Sequence, residues 1–220
     1  MNRLNAIFKD PISGLIHLAT AVAALVGGVF LFLAAPANWA ARSAALAYSV
    51  TLVLLFAASA TYHLVKTRPA RELLLRRLDH SAIFLLIAGT YTPVCVIVLT
   101  GTLRWLMLSA IWGMALAGIG FKLLTMRSSR WLSVAIYMVM GWLGVLSFGQ
   151  LFQALHWPAM AWLLAGGVLY SLGALVYATK WLDFYPGVFG FHEVWHLFVT
   201  AASGAFYVFV LRYVLPFGLR

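Results

Sequence analysis

Residues 190–212 read GFHEVWHLFVTAASGAFYVFVLR, and no charged side chain lies between Glu193 and Arg212. A hydrocarbon core of about 30 Å takes roughly 20 helical residues to cross, so this stretch is a membrane span. It also carries His192 and His196 four residues apart, on one helical face where a single ion can touch both. A histidine inside a membrane segment is costly and asks for a reason.

Outward from this stretch the same character holds. Hydrophobic residues make up 64% of the 220 residues and charged residues only 9%, with a mean hydropathy of +0.97. So little polar surface cannot cover a water-soluble globule. The apolar stretches divide the chain into seven pieces, near 13–35, 43–65, 80–100, 103–125, 131–154, 159–180 and 190–212. Arg3 and Lys9 precede the first, and Ala35-Pro36-Ala37 imitates a small-residue cleavage site. Its apolar run is longer than the core of a secretory signal, so it is read as a retained helix. Strand-like alternation is absent, which sets aside a β-barrel. The expectation is an all-α membrane protein, with one seven-helix transmembrane domain over residues 1–220.

Orientation follows from the basic residues of the connections. Arg3, Lys9, Lys66, Arg68, Arg71, Arg76, Arg77, Lys122, Arg127, Arg130 and Lys180 fall on one side, while Arg42, Arg104, Arg212 and Arg220 fall on the other. The positive-inside rule then places the N-terminus in the cytoplasm and the C-terminus outside. The formal net charge of +10 is explained by topology and by anionic lipid headgroups, and no nucleic-acid partner is expected.

This alternation gathers polar residues at one depth. Ser59 and His63 end the second span, Asp79 and His80 begin the third, His192 and His196 begin the last, and His17 lies near the start of the first. Only His156 falls in an outer loop. Taken alone, His63 reads equally as a ligand or as a cap on its own helix end. With the helix-spaced pair at matching depth, His63, His192 and His196 read as three metal ligands, leaving a fourth position for water as in catalytic zinc sites. Asp79 reads as a carboxylate behind the ligands or on that water, the alternative being a cap at a helix start. Ser59, one turn before His63, reaches toward the site or bonds back to its own helix. His17 and His80 are supporting or packing residues.

His192-Glu193-Val194-Trp195-His196 also matches H-E-x-x-H, in which the acid is the general base of a zinc protease. Short loops leave little material for a peptide groove, and Glu193 is not expected to touch the metal. The single cysteine, Cys95, excludes an intramolecular disulfide and a thiolate-rich site. Small-residue pairs such as Gly113 with Ala117 and Gly167 with Ser171 suit close helix packing, and the nine tryptophans suit interfacial belts.

Several runs together resemble one family. They are Asp10-Pro11-Ile12-Ser13-Gly14-Leu15-Ile16-His17, the segment from Ser59 to His63, Arg77-Leu78-Asp79-His80-Ser81, Ala88-Gly89-Thr90-Tyr91-Thr92-Pro93, and Tyr185-Pro186-Gly187 leading into His192–His196. These look like bacterial hemolysin III proteins, which belong with the progestin and adipoQ receptors. The resemblance covers the whole chain. It implies seven helices with the N-terminus inside and zinc near the cytoplasmic face on His63, His192 and His196, with Asp79 and Ser59 holding the zinc-bound water.

Related branches of that superfamily, the adiponectin receptors and the alkaline ceramidases, are linked to zinc-dependent hydrolysis of lipid amides. The resemblance therefore implies a multi-pass protein of the bacterial inner membrane whose partners are membrane lipids and whose substrate is a lipid amide. The alternative it leaves is a non-catalytic sensor or hemolysin with a structural zinc.

Overall fold

Prolines and short polar caps decide where the helices begin. In the computed structural model, which describes residues 2–126, 128–185 and 187–219, the helices are α1 (Asn2–Ile7), α2 (Pro11–Ala34), α3 (Trp39–Leu64), α4 (Pro69–Pro93), α5 (Gly101–Leu124), α6 (Arg130–Trp142), α7 (Phe148–Thr179), α8 (Phe191–Phe209) and α9 (Leu215–Phe217). Pro11 and Pro69 occupy first turns, where a missing N–H costs nothing. Asn38 caps α3 by accepting from the Ala41 amide at 2.8 Å, and Ser129 caps α6 by accepting from the Leu132 amide at 3.2 Å. Pro93 ends the regular part of α4, which continues as a π-helical turn over Val94–Val98. Arg127 and Arg220 of the charge count and Pro186 of the last motif lie outside the described residues.

Among the described residues, six helical runs are long and apolar enough to cross a membrane, and the chain is a multi-pass membrane protein. The surface agrees: large apolar side chains face outward along α2, with Leu33 71% exposed. One of the runs, residues 130–179, is 50 residues long. Straight, it would measure about 75 Å, more than twice a hydrocarbon core. It is not straight. His156 has φ 61° and ψ −177°, and the halves on either side pair with each other: Arg130 Nη1 donates to the Tyr177 carbonyl at 3.2 Å, and Trp142 Nε1 donates to Ser171 Oγ at 3.1 Å. Bonded pairs converging on residue 156 from both sides describe a hairpin.

The first and last long helices relate differently. Ser13 bonds to Glu193 at 2.7 Å, the Thr20 and Thr200 hydroxyls lie 3.2 Å apart, and Tyr207 Oη donates to the Gly27 carbonyl at 3.0 Å. Each pair is 180 residues apart, and a constant offset means that α2 and α8 run parallel. The rungs recur every seventh residue, two helical turns, so they stay on one seam. Neighbour contacts run α2 to α3 to α4 to α5, α4 to α6, α6 to α7, α7 to α8, and α8 back to α2, closing a ring.

Small residues set the tightest approaches. A Cβ placed on Gly28 would lie 2.9 Å from Ser49 Cβ, and one on Gly89 would collide with Thr51. Gly167 and Ser171 pack on Trp142 as the sequence suggests. Gly113 and Ala117 do not pack: both face outward, with nothing within 4 Å of a Cβ at Gly113. A second expectation needs correcting. The third span was placed from residue 80, whereas α4 starts at Pro69. Its charged first turns continue the helix beyond the apolar stretch that hydropathy marks. Asp79 therefore sits ten residues inside a helix and caps nothing.

Candidate metal centre

His63 ends α3, and His192 and His196 fall in the first two turns of α8. Their ring nitrogens converge: His192 Nε2 lies 3.3 Å from His63 Nε2 and 3.1 Å from His196 Nε2, and all three donor atoms lie within 4.8 Å of one another. Two nitrogens bound at about 2.0–2.1 Å to one tetrahedral ion sit about 3.3 Å apart. The two His192 distances match that spacing, and the third pair is wider, within 4.8 Å. His63 and His196 are 3% and 2% exposed, so their ring nitrogens are held against one another inside the bundle. The three histidines form a cluster able to hold a metal ion.

Asp10 completes the cluster from behind, and it is the site residue the sequence reading missed. Its Oδ2 lies 3.1 Å from His63 Nδ1, and its amide donates to the His63 carbonyl at 2.8 Å. A carboxylate on Nδ1 places the ring proton there and leaves Nε2 bare toward the cluster, the tautomer a ligand needs. The hydrogen bond from His63 holds the Asp10 carboxyl below its ordinary value, with burial acting in the opposite direction. Lys9 is anchored over the Tyr62 ring and bridges Asp10 at 3.7 Å and Glu72 at 3.2 Å. The signal available in the sequence was an acid directly before Pro11; that pattern reads as a helix cap, yet the Asp10 side chain makes no cap bond.

The remaining expectations divide. Asp79 and Ser59 line the same cavity as the three histidines. His17 is buried and stacked on His196 with ring centroids 3.8 Å apart, so it packs against the cluster without joining its three donors. His80 lines the cavity, and its carbonyl accepts from Tyr137 Oη at 3.2 Å. Glu193 is a brace. Its Oε1 accepts from Ser13 Oγ at 2.7 Å and its Oε2 from the Gly190 amide at 2.8 Å, tying the start of α8 to α2 and satisfying an orphan amide. Cys95 is buried and free, and His156 lies at the hairpin bend.

From the histidines a cavity of about 710 Å³ runs into the bundle between α3, α4, α6, α7 and α8. That volume is in the range of small-molecule sites. Its polar end holds the histidines, Asp79 and Ser59; its far end is walled by apolar groups including Leu86, Val94, Leu163, Phe206 and Phe209.

A family model described as "Haemolysin-III related" matches residues 5–207. The chain is 37% identical over 219 residues to "Hemolysin-3" of Bacillus cereus, covering 98% of this chain and 97% of that protein. It is 37% identical over 166 residues to "Hemolysin-3 homolog" of Bacillus subtilis (strain 168), 76% of this chain and 75% of the other. A more distant likeness, 26% over 203 residues, is to human "Monocyte to macrophage differentiation factor", with 90% and 81% covered.

Proposed function

Because the chain belongs to the haemolysin-III related family, we propose that it is a zinc protein of the bacterial inner membrane that hydrolyses a lipid amide. The carrying observation is the convergence of three histidine Nε2 atoms at the polar end of a long apolar cavity. Zinc is the choice for an all-imidazole donor set, and no fourth donor joins the group among the described residues, as in catalytic rather than closed structural sites.

One domain over residues 1–220 crosses the membrane seven times, with the N-terminus in the cytoplasm and the C-terminus outside. The hairpin at His156 makes two crossings of the 50-residue run. The parallel α2 and α8 support the same parity, since a first and a sixth crossing would be antiparallel and a first and a seventh are parallel.

Bound at the cluster, zinc supplies a Lewis acid that polarises an acyl carbonyl and acidifies a water beside it. The chain provides the rest. The cavity takes the acyl chain and holds the amide near the histidines. Asp79 accepts the proton of the attacking water and returns it to the leaving amine. Ser59 fixes the Asp79 carboxylate, while Asp10 fixes His63. Glu193, held by Ser13 and Gly190, is not placed to act as the base of a peptide-cleaving H-E-x-x-H site.

The test pairs the wild type with Asp79→Asn on a panel of lipid amides and esters in liposomes, with zinc measured in both. The expected result is about one zinc per chain in each and fatty acid release from the wild type alone. Equal release from both, or none above a metal-free control from either, would favour a structural zinc in a non-catalytic sensor.

A further inference from the structure

The cavity wall carries an imbalance that the hydrolytic reading does not use. Two of its acidic side chains are engaged, Asp10 by His63 and Lys9, and Glu193 by Ser13 and the Gly190 amide, while Asp79 lies within electrostatic reach of Arg76. Two of its cations have no acid beside them among the described residues. Lys122, in the last turn of α5, is 2% exposed, and among the described residues its Nζ donates to hydroxyls, Ser128 Oγ at 2.8 Å and Ser133 Oγ at 2.6 Å. Arg130 donates to the Tyr177 carbonyl at 3.2 Å and lies against the Tyr177 and Phe191 rings. Among the described residues, neither has a carboxylate within salt-bridge distance.

Arg76, exposed at the cavity's edge, also lines it and lies within electrostatic reach of Asp79 as well as of Lys122. A buried cation facing only neutral partners bears most of its desolvation cost uncompensated. Lys122 is such a group and Arg130 is a half-buried second one lining the same cavity, and together they describe a place where an anion is supplied from outside the chain.

We propose that Lys122 and Arg130, with Arg76 beside them, bind the anionic head of a lipid, a carboxylate or phosphate, whose apolar chain fills the cavity. The tail follows from continuity, because the wall that holds these cations continues past Leu86, Val94 and Phe209. A small soluble anion would satisfy the cations and leave that apolar length empty. Arg130 supplies a flat guanidinium suited to an oxyanion, and Lys122 a point charge held by two serines. The inference names the substrate class within the proposed hydrolase, an acyl lipid with an acidic head, but it is read by binding and needs no turnover.

The experiment measures binding to the purified full chain in a non-ionic detergent, by intrinsic tryptophan fluorescence and by thermal shift. The probes are palmitate, lysophosphatidic acid, lysophosphatidylcholine and inorganic phosphate. Palmitate and lysophosphatidic acid should bind at least tenfold more tightly than lysophosphatidylcholine, with millimolar phosphate neither binding nor competing. Lys122→Met and Arg130→Gln should each weaken both acidic lipids about tenfold while metal content stays at the wild-type level, and Lys122→Arg should restore part of the loss.

Equal binding of acidic and zwitterionic lipids overturns the proposal. So does unchanged acidic-lipid affinity in both neutral variants, and phosphate competing at equal strength would reassign the site to a soluble anion. A protein that binds acidic lipids in this pattern yet hydrolyses none would sink the enzyme reading and leave the site standing.

Discussion

Asp10 shows how much one residue can add without touching the metal. Its carboxylate and amide both grip His63, fixing ring orientation and tautomer at once. Groups of this kind are worth about 10- to 100-fold in metal affinity. Asp10→Asn should therefore lower zinc affinity by that factor without unfolding the chain, as read by competition with a chromophoric chelator; an unchanged affinity would make the contact incidental. Because the Asp10 carboxyl is held below the ordinary value of about 3.9, its contribution is fully present above that value. It is lost only as pH falls through the lower, folded value, so it does not vary between pH 6 and 8. Glu193→Gln, by contrast, should keep metal at wild-type level, since both carboxylate oxygens serve the α2–α8 brace. The three histidines were legible from spacing and depth. Asp10 was not, because an acid before a proline has an ordinary explanation that only the folded contact removes.

At the scale of the helix, the junction of α6 and α7 depends on a side chain from α4. The 3₁₀ turn Leu143–Ser147 interrupts the run, and Tyr91 Oη accepts from the Gly144 amide at 2.6 Å while donating to the Gly141 carbonyl at 2.7 Å. Tyr91→Phe orphans that amide and should cost about 1 to 3 kcal/mol, seen as a lower melting temperature in detergent with zinc retained. An unchanged melting temperature would mean that the turn holds itself. Hydropathy located the apolar spans because burial in lipid acts on composition alone. It misplaced the start of α4, where Arg71, Arg76 and Arg77 extend a helix that no apolar pattern announces, and so left open a cap at Asp79 that the helix does not need.

For the whole molecule the number of crossings decides where the ends lie. With seven and the N-terminus inside, alkaline phosphatase fused to the C-terminus should be active and a cytoplasm-dependent reporter dark; the reverse pattern would mean an even count or an inverted bundle with His63 and His196 at the outer face. Grouping the histidines at one end of the bundle was legible from alternation of the spans. The ladder joining α2 to α8 was not, because Ser13, Thr20 and Thr200 are unremarkable residues until a fixed offset of 180 aligns them. That ladder also imposes an order in time. His63 and His192 are 129 residues apart, so at about 5 to 20 residues per second roughly 6 to 26 s of synthesis separate the first ligand from the second. Throughout that interval the nascent chain holds the Asp10–His63 pair with neither of the other histidines, and Ser13 and Thr20 wait for their rungs on α8. The three-histidine cluster is thus completed late, and a chain stalled before its last helix holds only His63 of the three.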